Sequence, residues 1–453
     1  MLESEQSKQF TPPLARSQPG VQARPWQRIT QRFAGNHLLT GSALFFVSTT
    51  IVNGGNYLFN LILGRWLGPA LFADVSIIIT LFLFLTFITA GFQQTAAKFS
   101  AIYSADQDGA KLLALRQWLN RRSWAIGVLC LLIVGGGAPF WQNFFHTSSA
   151  WIFVIFAIGL PFYFVQGIDR GLLQGQMQFG LLAASYQAEM WVRLGVGLLL
   201  VLIGWAAHGA VLGLTLSIVA TWFVADWGLR RLQITQAQPN AGIGPSLLSP
   251  AERQAIFAFA LPVLIVETSL ILINNSDVLI IKRFFDSVDA GHYAALALIG
   301  RIVFFGTWSV VITMFPLVAQ KHQRQEAHGH LLWTSLGMVF GVSVAIVGAT
   351  ILMPNLIIRI LFGAEYLSIA PLLWLYAVAT ALFSLANVLI NYHLALGNRT
   401  GTLFALTAGI VQVVSLIVWH ATLDQVVLIQ VYVMGALFLS LFSWHWFGSL
   451  KAR

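Results

Sequence analysis

The segment GRWLGPALFADVS, residues 64–76, follows the first long apolar run of the chain. A weakly similar segment, KRFFDSVDAGHYA, covers residues 282–294 and also follows an apolar run. A second pairing sets LLQGQMQFG, residues 172–180, near LALGNRTG, residues 394–401, at a similar offset. Because similar segments recur at equivalent places, we expect two structurally related halves.

The composition is typical of a membrane protein. Hydrophobic residues make up 57% of the chain, charged residues only 9%, and the mean hydropathy is +0.77, whereas soluble proteins carry about 25% charged residues. A membrane helix needs about 20 apolar residues, and such runs recur from residue 38 onward, without the alternating pattern of a transmembrane barrel. We therefore predict an all-α polytopic membrane protein with about 12 transmembrane helices, at residues 40–63, 72–97, 123–140, 150–168, 181–205, 209–229, 255–281, 290–318, 331–353, 368–392, 401–420 and 425–447.

Basic residues are distributed unevenly over the loops between these predicted spans. Of the 25 Lys and Arg, nineteen fall on one side of the membrane, including Arg170. Four fall on the other side, and two lie within spans; the four are Arg65, Lys282, Arg283 and Arg359. Cytoplasmic loops carry the excess of basic residues, so we expect both termini to be cytoplasmic. The net charge of +9 thus serves topology, and we expect no nucleic-acid partner.

The longest polar interruption divides the predicted spans into six and six. We expect a mostly disordered cytoplasmic tail at 1–37, an N-terminal lobe at 38–230, a cytoplasmic linker at 231–254, a C-terminal lobe at 255–448 and a short cytoplasmic tail at 449–453. Because six is even, both lobes insert in the same sense, related by a pseudo-two-fold axis along the membrane normal. This arrangement predicts a central cavity between the two lobes.

Charged side chains within the spans are the candidate site residues. Each costs roughly 2.5–3.5 kcal/mol on insertion scales, and such residues usually face a cavity or a charged partner. Glu189 and Arg193 share one helix face at i, i+4. Either they neutralise each other, or Arg193 presents its guanidinium to an anionic headgroup while Glu189 holds it in place.

Arg301 lies about ten residues inside its span, or ~15 Å at helical rise. Its counterpart in the first half is Leu83, so packing at this position does not require a cation. Two interpretations remain open: an ion pair with Glu267 or Asp277, or binding of an anionic substrate, which we prefer.

Glu267, Asn274 and Asp277 form a polar stripe along one predicted helix. Such a stripe lines a cavity or bonds to neighbouring helices, and Glu267 is also a candidate proton or cation site. His322, His328 and His330 cluster in a predicted cytoplasmic loop, and no acidic or Cys ligand pattern of a metal site accompanies them. We therefore expect neither a metal nor a cofactor.

Three segments resemble a known family. LGRWLGPALFADVS, residues 63–76, resembles the R-x-LGP-x-x-F-G-x-Y-S segment of the polysaccharide-biosynthesis or oligosaccharide-flippase family, which includes O-antigen flippases. That family belongs to the multidrug/oligosaccharidyl-lipid/polysaccharide (MOP) exporter superfamily. NNSDVLIIKRFFDSVDAGHYAALALI, residues 274–299, repeats the pattern, with Asp277 and Gly291 at the family positions, and DRGLLQGQMQFG, residues 169–180, is similar to the family's R-G-L-L-Q-G turn after span 4.

The resemblance implies a V-shaped, two-lobed flippase of the bacterial inner membrane. It would move undecaprenyl-diphosphate-linked oligosaccharides by alternating access, with cavity cations facing the diphosphate. The resemblance supports Arg193 and Arg301 as headgroup ligands. We expect a monomeric, non-enzymatic transporter whose partners are the lipid-linked oligosaccharide, membrane lipids and a candidate coupling ion, H⁺ or Na⁺. The alternatives are a cation-coupled multidrug antiporter, which the carboxylates would suit, and a glycan polymerase or ligase, which the short outer loop at 354–367 disfavours.

Overall fold

The computed structural model describes residues 37–236, 248–398 and 400–451, and these ranges are helical with no β-strand among them. We number the helices in chain order: α1 His37–Ala105, α2 Gly109–Gly136, α3 Ala138–Phe145, α4 Trp151–Gly175, α5 Phe179–Val192, α6 Ala206–Gln236, α7 Pro250–Phe284, α8 Ser287–Gly300, α9 Ile302–Gln323, α10 Gly329–Leu352, α11 Pro354–Leu361, α12 Ala370–Ala395, α13 Thr400–Val418 and α14 Leu423–Lys451. Between α5 and α6 the chain forms a short helical segment, Leu198–Leu200, flanked by two π-helical segments, Arg193–Gly197 and Val201–Trp205.

Nine helical stretches in the described ranges are long and apolar enough to cross a membrane, or ten when the bent pair α2 and α3 counts as one span. Two of the nine are 62 and 54 residues long, whereas one crossing needs about 20 residues. Each of the two contains a glycine with positive φ, Gly68 at +69° and Gly204 at +96°, where a residue with a Cβ would be strained. The polytopic helical fold is confirmed, and the number of twelve spans stays a prediction.

The helix breaks fall at matching places in the two aligned segments. The first break is at Gly68, and the second lies between α7 and α8, where Asp286 caps α8 by accepting from the backbone N–H groups of Val288 and Asp289. Gly68 and Asp286 occupy the same column when residues 64–76 are set over 282–294. The helix is therefore interrupted at the same column of both aligned segments. A glycine with positive φ does this in the first segment and an Asp cap in the second.

The R-G-L-L-Q-G segment is the last turn of α4 and not a turn after it. Its glycines allow α4 to contact the backbone of α1: a Cβ at Gly171 would lie 2.3 Å from the carbonyl oxygen of Gln93, and one at Gly175 would lie 2.3 Å from that of Ala97. Small residues four apart permit such close approach of membrane helices. This motif is therefore explained by packing.

The predicted tails and linker are only partly covered by the structure. Helix α6 continues to Gln236 and α7 begins at Pro250, so the predicted linker at 231–254 is helical at both ends, while 237–247 lies outside the described residues. The predicted tail at 1–37 also lies outside them except for His37, and α14 extends to Lys451 in the predicted C-terminal tail. The lobe boundaries stay predictions.

One hydrophobic core joins the two halves at the end that the charge distribution predicts to be outer. Phe59, Leu63 and Phe72 of α1 pack in the same cluster as Tyr293 of α8 and Phe362. The Tyr366 hydroxyl also donates to the Gly64 carbonyl oxygen at 2.8 Å. The halves are thus closed against each other beside the two repeated segments.

Candidate substrate site

In the N-terminal half, one carboxylate lies between two arginines. Glu189 accepts hydrogen bonds from Arg193, four residues later, at 2.5 Å and from Arg170 of α4 at 2.8 Å. All three side chains are buried. Arg193 also donates to the Asn56 side chain at 2.9 Å, and its Nε is buried without a hydrogen-bond partner. The cluster therefore contains two guanidinium groups and one carboxylate, and carries an excess positive charge.

From the basic-residue count we expected Arg170 to lie in a solvated cytoplasmic loop. This prediction was wrong. Arg170 belongs to α4, is 6% exposed, and donates to both the side chain and the backbone carbonyl of Ser185. Its guanidinium also lies 3.7 Å from the centroid of the Tyr186 ring. The prediction failed because the apolar run ends near residue 168, whereas the helix continues to Gly175.

Helix regularity is interrupted at Arg193. Residues Arg193–Gly197, with the sequence RLGVG, form one π-helical segment directly after α5. Such π-helical segments are rare within α-helices and are frequently found at functional sites. The arginine that we singled out for its depth thus lies at an irregular position of its span.

In the C-terminal half, Arg301 is paired with Asp277. Its guanidinium donates to Asp277 at 3.1 Å and to Asn275 at 3.3 Å. The hydroxyls of Tyr293 and Tyr376 donate to the other Asp277 oxygen at 3.0 and 2.8 Å. Asp277 is 1% exposed and Arg301 16% exposed at the side chain, so the arginine is the more accessible partner.

Arg301 also lies at an interruption, because it separates α8 from α9. Of the two interpretations of Arg301, the ion pair with Asp277 is present, and its partner is not Glu267. Substrate binding by Arg301 stays a prediction. The structure therefore shows each of the two deep arginines bonded to a carboxylate of its own half.

Glu267 and Asn274 have different environments. Glu267 accepts a hydrogen bond from Gln94 of α1 at 2.8 Å, which links the two halves. Asn274 donates to the carbonyl oxygen of Leu270, one turn earlier in its own helix. Both side chains are half-buried. The polar stripe is thus not one surface: Glu267 contacts the opposite half, and Asp277 is enclosed by its own.

A further buried ion pair joins the two halves, and the sequence analysis did not predict it. Lys282, which we counted among the outer loop residues, lies 2.9 Å from Asp74, and each side chain is 2% exposed. Asp74 also accepts from the backbone N–H of Ser148, and Lys282 donates to Ser287 at 2.9 Å. Both residues lie inside the aligned segments at 64–76 and 282–294, and that alignment was the only available signal.

No group of three or more His, Cys, Asp or Glu side chains suited to a metal occurs among the described residues. The chemistry that this arrangement offers is instead electrostatic: guanidinium groups, one at a π-helical segment and one at a helix break, held by carboxylates. Such groups suit phosphate and carboxylate ligands.

Comparisons with known proteins give a family and a fold. The family described as polysaccharide biosynthesis protein matches residues 38–322. A multidrug MATE-family transporter of the MOP superfamily, solved in an inward-facing conformation, superposes with a TM-score of 0.72 at 12% identity, covering 87% of this chain and 94% of the transporter. The lipid II flippase MurJ, in an inward closed conformation, superposes with a TM-score of 0.69 at 15% identity, covering 88% of this chain and 87% of the flippase.

No curated protein sequence gives a significant match. The family match covers more than half of the chain, and both structures share its helical architecture almost end to end. The resemblance inferred from the repeated motifs is therefore confirmed. The chain belongs to the polysaccharide biosynthesis protein family and has the fold of the MOP superfamily.

Proposed function

We propose that this protein is a flippase that moves an undecaprenyl-diphosphate-linked oligosaccharide across the bacterial inner membrane by alternating access. The observation that carries the proposal is the Arg170–Glu189–Arg193 cluster, in which two guanidinium groups are buried with one carboxylate. A diphosphate would supply the missing negative charge. Family membership favours a glycan-linked substrate over other anions.

Arg301 is proposed as the second ligand, from the opposite half. Its side chain is more exposed than that of Asp277, so it can exchange part of this contact for a substrate phosphate. Its planar guanidinium suits bidentate binding of a phosphate. Rocking of the two halves would bring Arg193 and Arg301 to the substrate together, after which the carrier would be released on the other side. Transport of this kind involves no covalent step, so we propose no enzymatic activity.

Glu267 supports a second candidate, a cation-coupled antiporter on the same fold. Its only hydrogen bond in the described part of the chain comes from the neutral amide of Gln94, and no described cation neutralises it. A carboxylate in this position can take up a proton, a Na⁺ ion or a cationic drug. In the flippase, the same residue would couple H⁺ or Na⁺ movement to the separation of the two halves.

The decisive test is transport in liposomes. The purified protein is reconstituted with a fluorescent undecaprenyl-diphosphate oligosaccharide, and substrate that reaches the outer leaflet is quantified. Hydrogen bonds to charged groups contribute about 1.5–3 kcal/mol, so Arg193→Gln and Arg301→Gln should each slow flipping by roughly tenfold or more. Arg359→Gln is the matched control, because Arg359 is exposed on α11.

Two further measurements separate the candidates. Flipping by both arginine variants at the rate of the Arg359→Gln control would contradict the assignment of the site. A proton or sodium gradient should accelerate flipping by the native protein and have no effect on Glu267→Gln. Resistance of cells to cationic drugs, lost in Glu267→Gln but kept in Arg193→Gln, would instead identify an antiporter.

A further inference from the structure

A groove of about 540 Å³ lies on the N-terminal half, and its lining does not include Arg170, Glu189 or Arg193. Val165 of α4 lies in its lining, together with residues of α2 and α6. Helices α2 and α6 both pack against α4, so α4 forms the floor and the other two helices form the walls. Arg116 of α2 and Asp226 of α6 form an ion pair at 2.6 Å that connects the walls.

The groove opens on the outside of the bundle. The opposite side of α4 is taken up by α1, through the close contacts of Gly171 and Gly175 with the backbone of α1. Helix α1 in turn contacts α7 and α8 of the second half. All of its lining residues belong to the N-terminal half, and Leu113, Trp124 and Arg230 among them are exposed, so the groove opens at the surface of the bundle towards the surrounding lipid.

The lining changes from charged to aromatic along the groove. Arg116, Gln117 and Arg230 lie at the end that the basic-residue count places at the cytoplasmic surface. Trp124 follows Arg116 by eight residues, which is about 12 Å deeper along the helix. Trp222 faces it from α6, and Phe162 packs between them with ring centroids 5.5 and 5.1 Å away.

At the charged end of the groove, part of the Arg230 guanidinium is accessible to an anion. Arg230 uses its Nε to bond Asp226 at 2.7 Å, while 68% of its side chain is exposed. Arg116 is held by two carboxylates, Asp169 at 3.2 Å and Asp226 at 2.6 Å, so Arg230 is the guanidinium of this lining that a ligand can reach. The amides of Gln117 and Asn120 lie beside them in the same lining. A phosphate placed there would meet a guanidinium and amide donors.

We propose that this groove binds an anionic phospholipid of the cytoplasmic leaflet as a resident ligand, distinct from any transported substrate. The phosphate would contact the outer nitrogens of Arg230 and the amide of Gln117. One acyl chain would lie on the apolar surface that Val165, Trp124 and Trp222 line, because Phe162 already fills the space between the two tryptophan rings. Basic pockets between membrane helices on the cytoplasmic side are suited to such headgroups, and the aromatic floor fits the chain.

Lipid binding can be measured by native mass spectrometry of the full-length protein titrated with phosphatidylglycerol or with phosphatidylcholine of the same acyl chains. One basic residue near the membrane surface contributes about 1 kcal/mol to anionic lipid binding, so Arg230→Gln should weaken phosphatidylglycerol binding about fivefold. Arg231→Gln is the matched control, because it removes the same charge one residue further on, where the guanidinium lies over Trp227. It should leave the affinity unchanged.

A second variant tests the chain-binding part of the groove. Trp222→Ala should weaken binding of phosphatidylglycerol while leaving the charged end intact, and thermal melting of each variant checks that the fold is preserved. Equal losses in Arg230→Gln and Arg231→Gln would overturn the proposal in favour of a diffuse basic surface. Equal affinity of the native protein for both lipids would overturn the anionic headgroup. Arg230→Lys, which keeps the charge, should retain most of the binding.

Discussion

The Lys282 ammonium group lies 2.9 Å from the Asp74 carboxylate, although the two residues belong to different halves of the chain. Each side chain is 2% exposed. The pair adjoins the hydrophobic core that joins the halves, which contains Ala73 and Val75 next to Asp74 and Ile281 next to Lys282. A charge pair within the contact between two lobes contributes to stability only while the contact is closed. We therefore interpret the Asp74–Lys282 pair as a contact that keeps the two halves closed at the predicted outer end.

Removing one partner of this pair should open the contact. Because a lone buried charge costs about 3–5 kcal/mol, Lys282→Met should lower the melting temperature and favour separation of the halves. The readout is labelling of the Ala73→Cys variant by a membrane-impermeant thiol reagent. The single native cysteine is replaced by Cys130→Ala, so that only the introduced thiol reacts. Ala73 is 2% exposed in the closed contact, so its labelling should rise.

The double variant Asp74→Asn, Lys282→Met is the control for the Asp74–Lys282 pair. It removes both charges, so part of the lost stability should return, because neither charge is left without a partner. Labelling of Ala73→Cys that does not change in Lys282→Met would contradict a role in closing the outer end.

Gly291 should be intolerant of a side chain for a different reason. A Cβ at this position would lie 1.9 Å from the carbonyl oxygen of Pro69, an atom of the opposite half that cannot move aside by rotating a side chain. We expect Gly291→Ala to destabilise the protein and to impair closure. Gly341→Ala in α10 is the matched control, since nothing lies within 4 Å of its Cβ position, and it should be neutral or stabilising by up to about 1 kcal/mol. Thermal melting in detergent distinguishes the two.

The cluster around Glu189 makes a prediction about relative effects. Glu189→Gln would leave Arg170 and Arg193 buried together without a counter-charge, whereas Arg193→Gln leaves the pair of Glu189 with Arg170 at 2.8 Å. Breaking a buried pair costs about 3–5 kcal/mol when a charge is left without a partner. Glu189→Gln should therefore lower the melting temperature more than Arg193→Gln. The reverse order would show that Arg170 does not share the carboxylate.

Much of the fold was predictable from the sequence, because membrane helices are specified by local apolar length. The weak similarity of residues 64–76 to 282–294 was visible in the sequence, and the helix breaks at Gly68 and Asp286 fall at the same place in those segments. Hydropathy could not show that α4 continues past residue 168, since Asp169 and Arg170 are charged. They remain in the helix because they are paired with Arg116 and Glu189.

The candidate site was only partly predictable, because its residues come from distant parts of the chain. The Glu189–Arg193 pair was visible, since its members are four residues apart. The Arg301–Asp277 pair was one of two alternatives, and spacing alone could not choose between Asp277 and Glu267. Gln430, 153 residues from Asp277 and bonded to it at 3.4 Å, left no local signal. Such partners become apparent only once the helices are packed.

The environment of Asp277 gives the last prediction, a graded series. Asp277→Asn would remove the charge that Arg301 neutralises and weaken the hydrogen bonds of two tyrosine hydroxyls, so it should destabilise the protein most, by about 3–5 kcal/mol. Tyr376→Phe removes one donor at 2.8 Å and should cost about 1.5–3 kcal/mol, typical of a hydrogen bond to a charged group. Asn274→Ala is the control on the same helix, because the bond of Asn274 in the described part of the chain is to the Leu270 carbonyl oxygen of its own helix.

Melting temperatures that fall in the order Asn274→Ala, Tyr376→Phe, Asp277→Asn, from the smallest loss to the largest, would agree with this assignment. If Asp277→Asn instead melted like the native protein while flipping was lost, Asp277 would act in transport without stabilising the C-terminal half. In that case Arg301 would lose its carboxylate partner without a loss of protein stability. Its guanidinium would then be available to bind an anion. The series therefore tests whether holding Arg301 and stabilising the fold are one function of Asp277 or two.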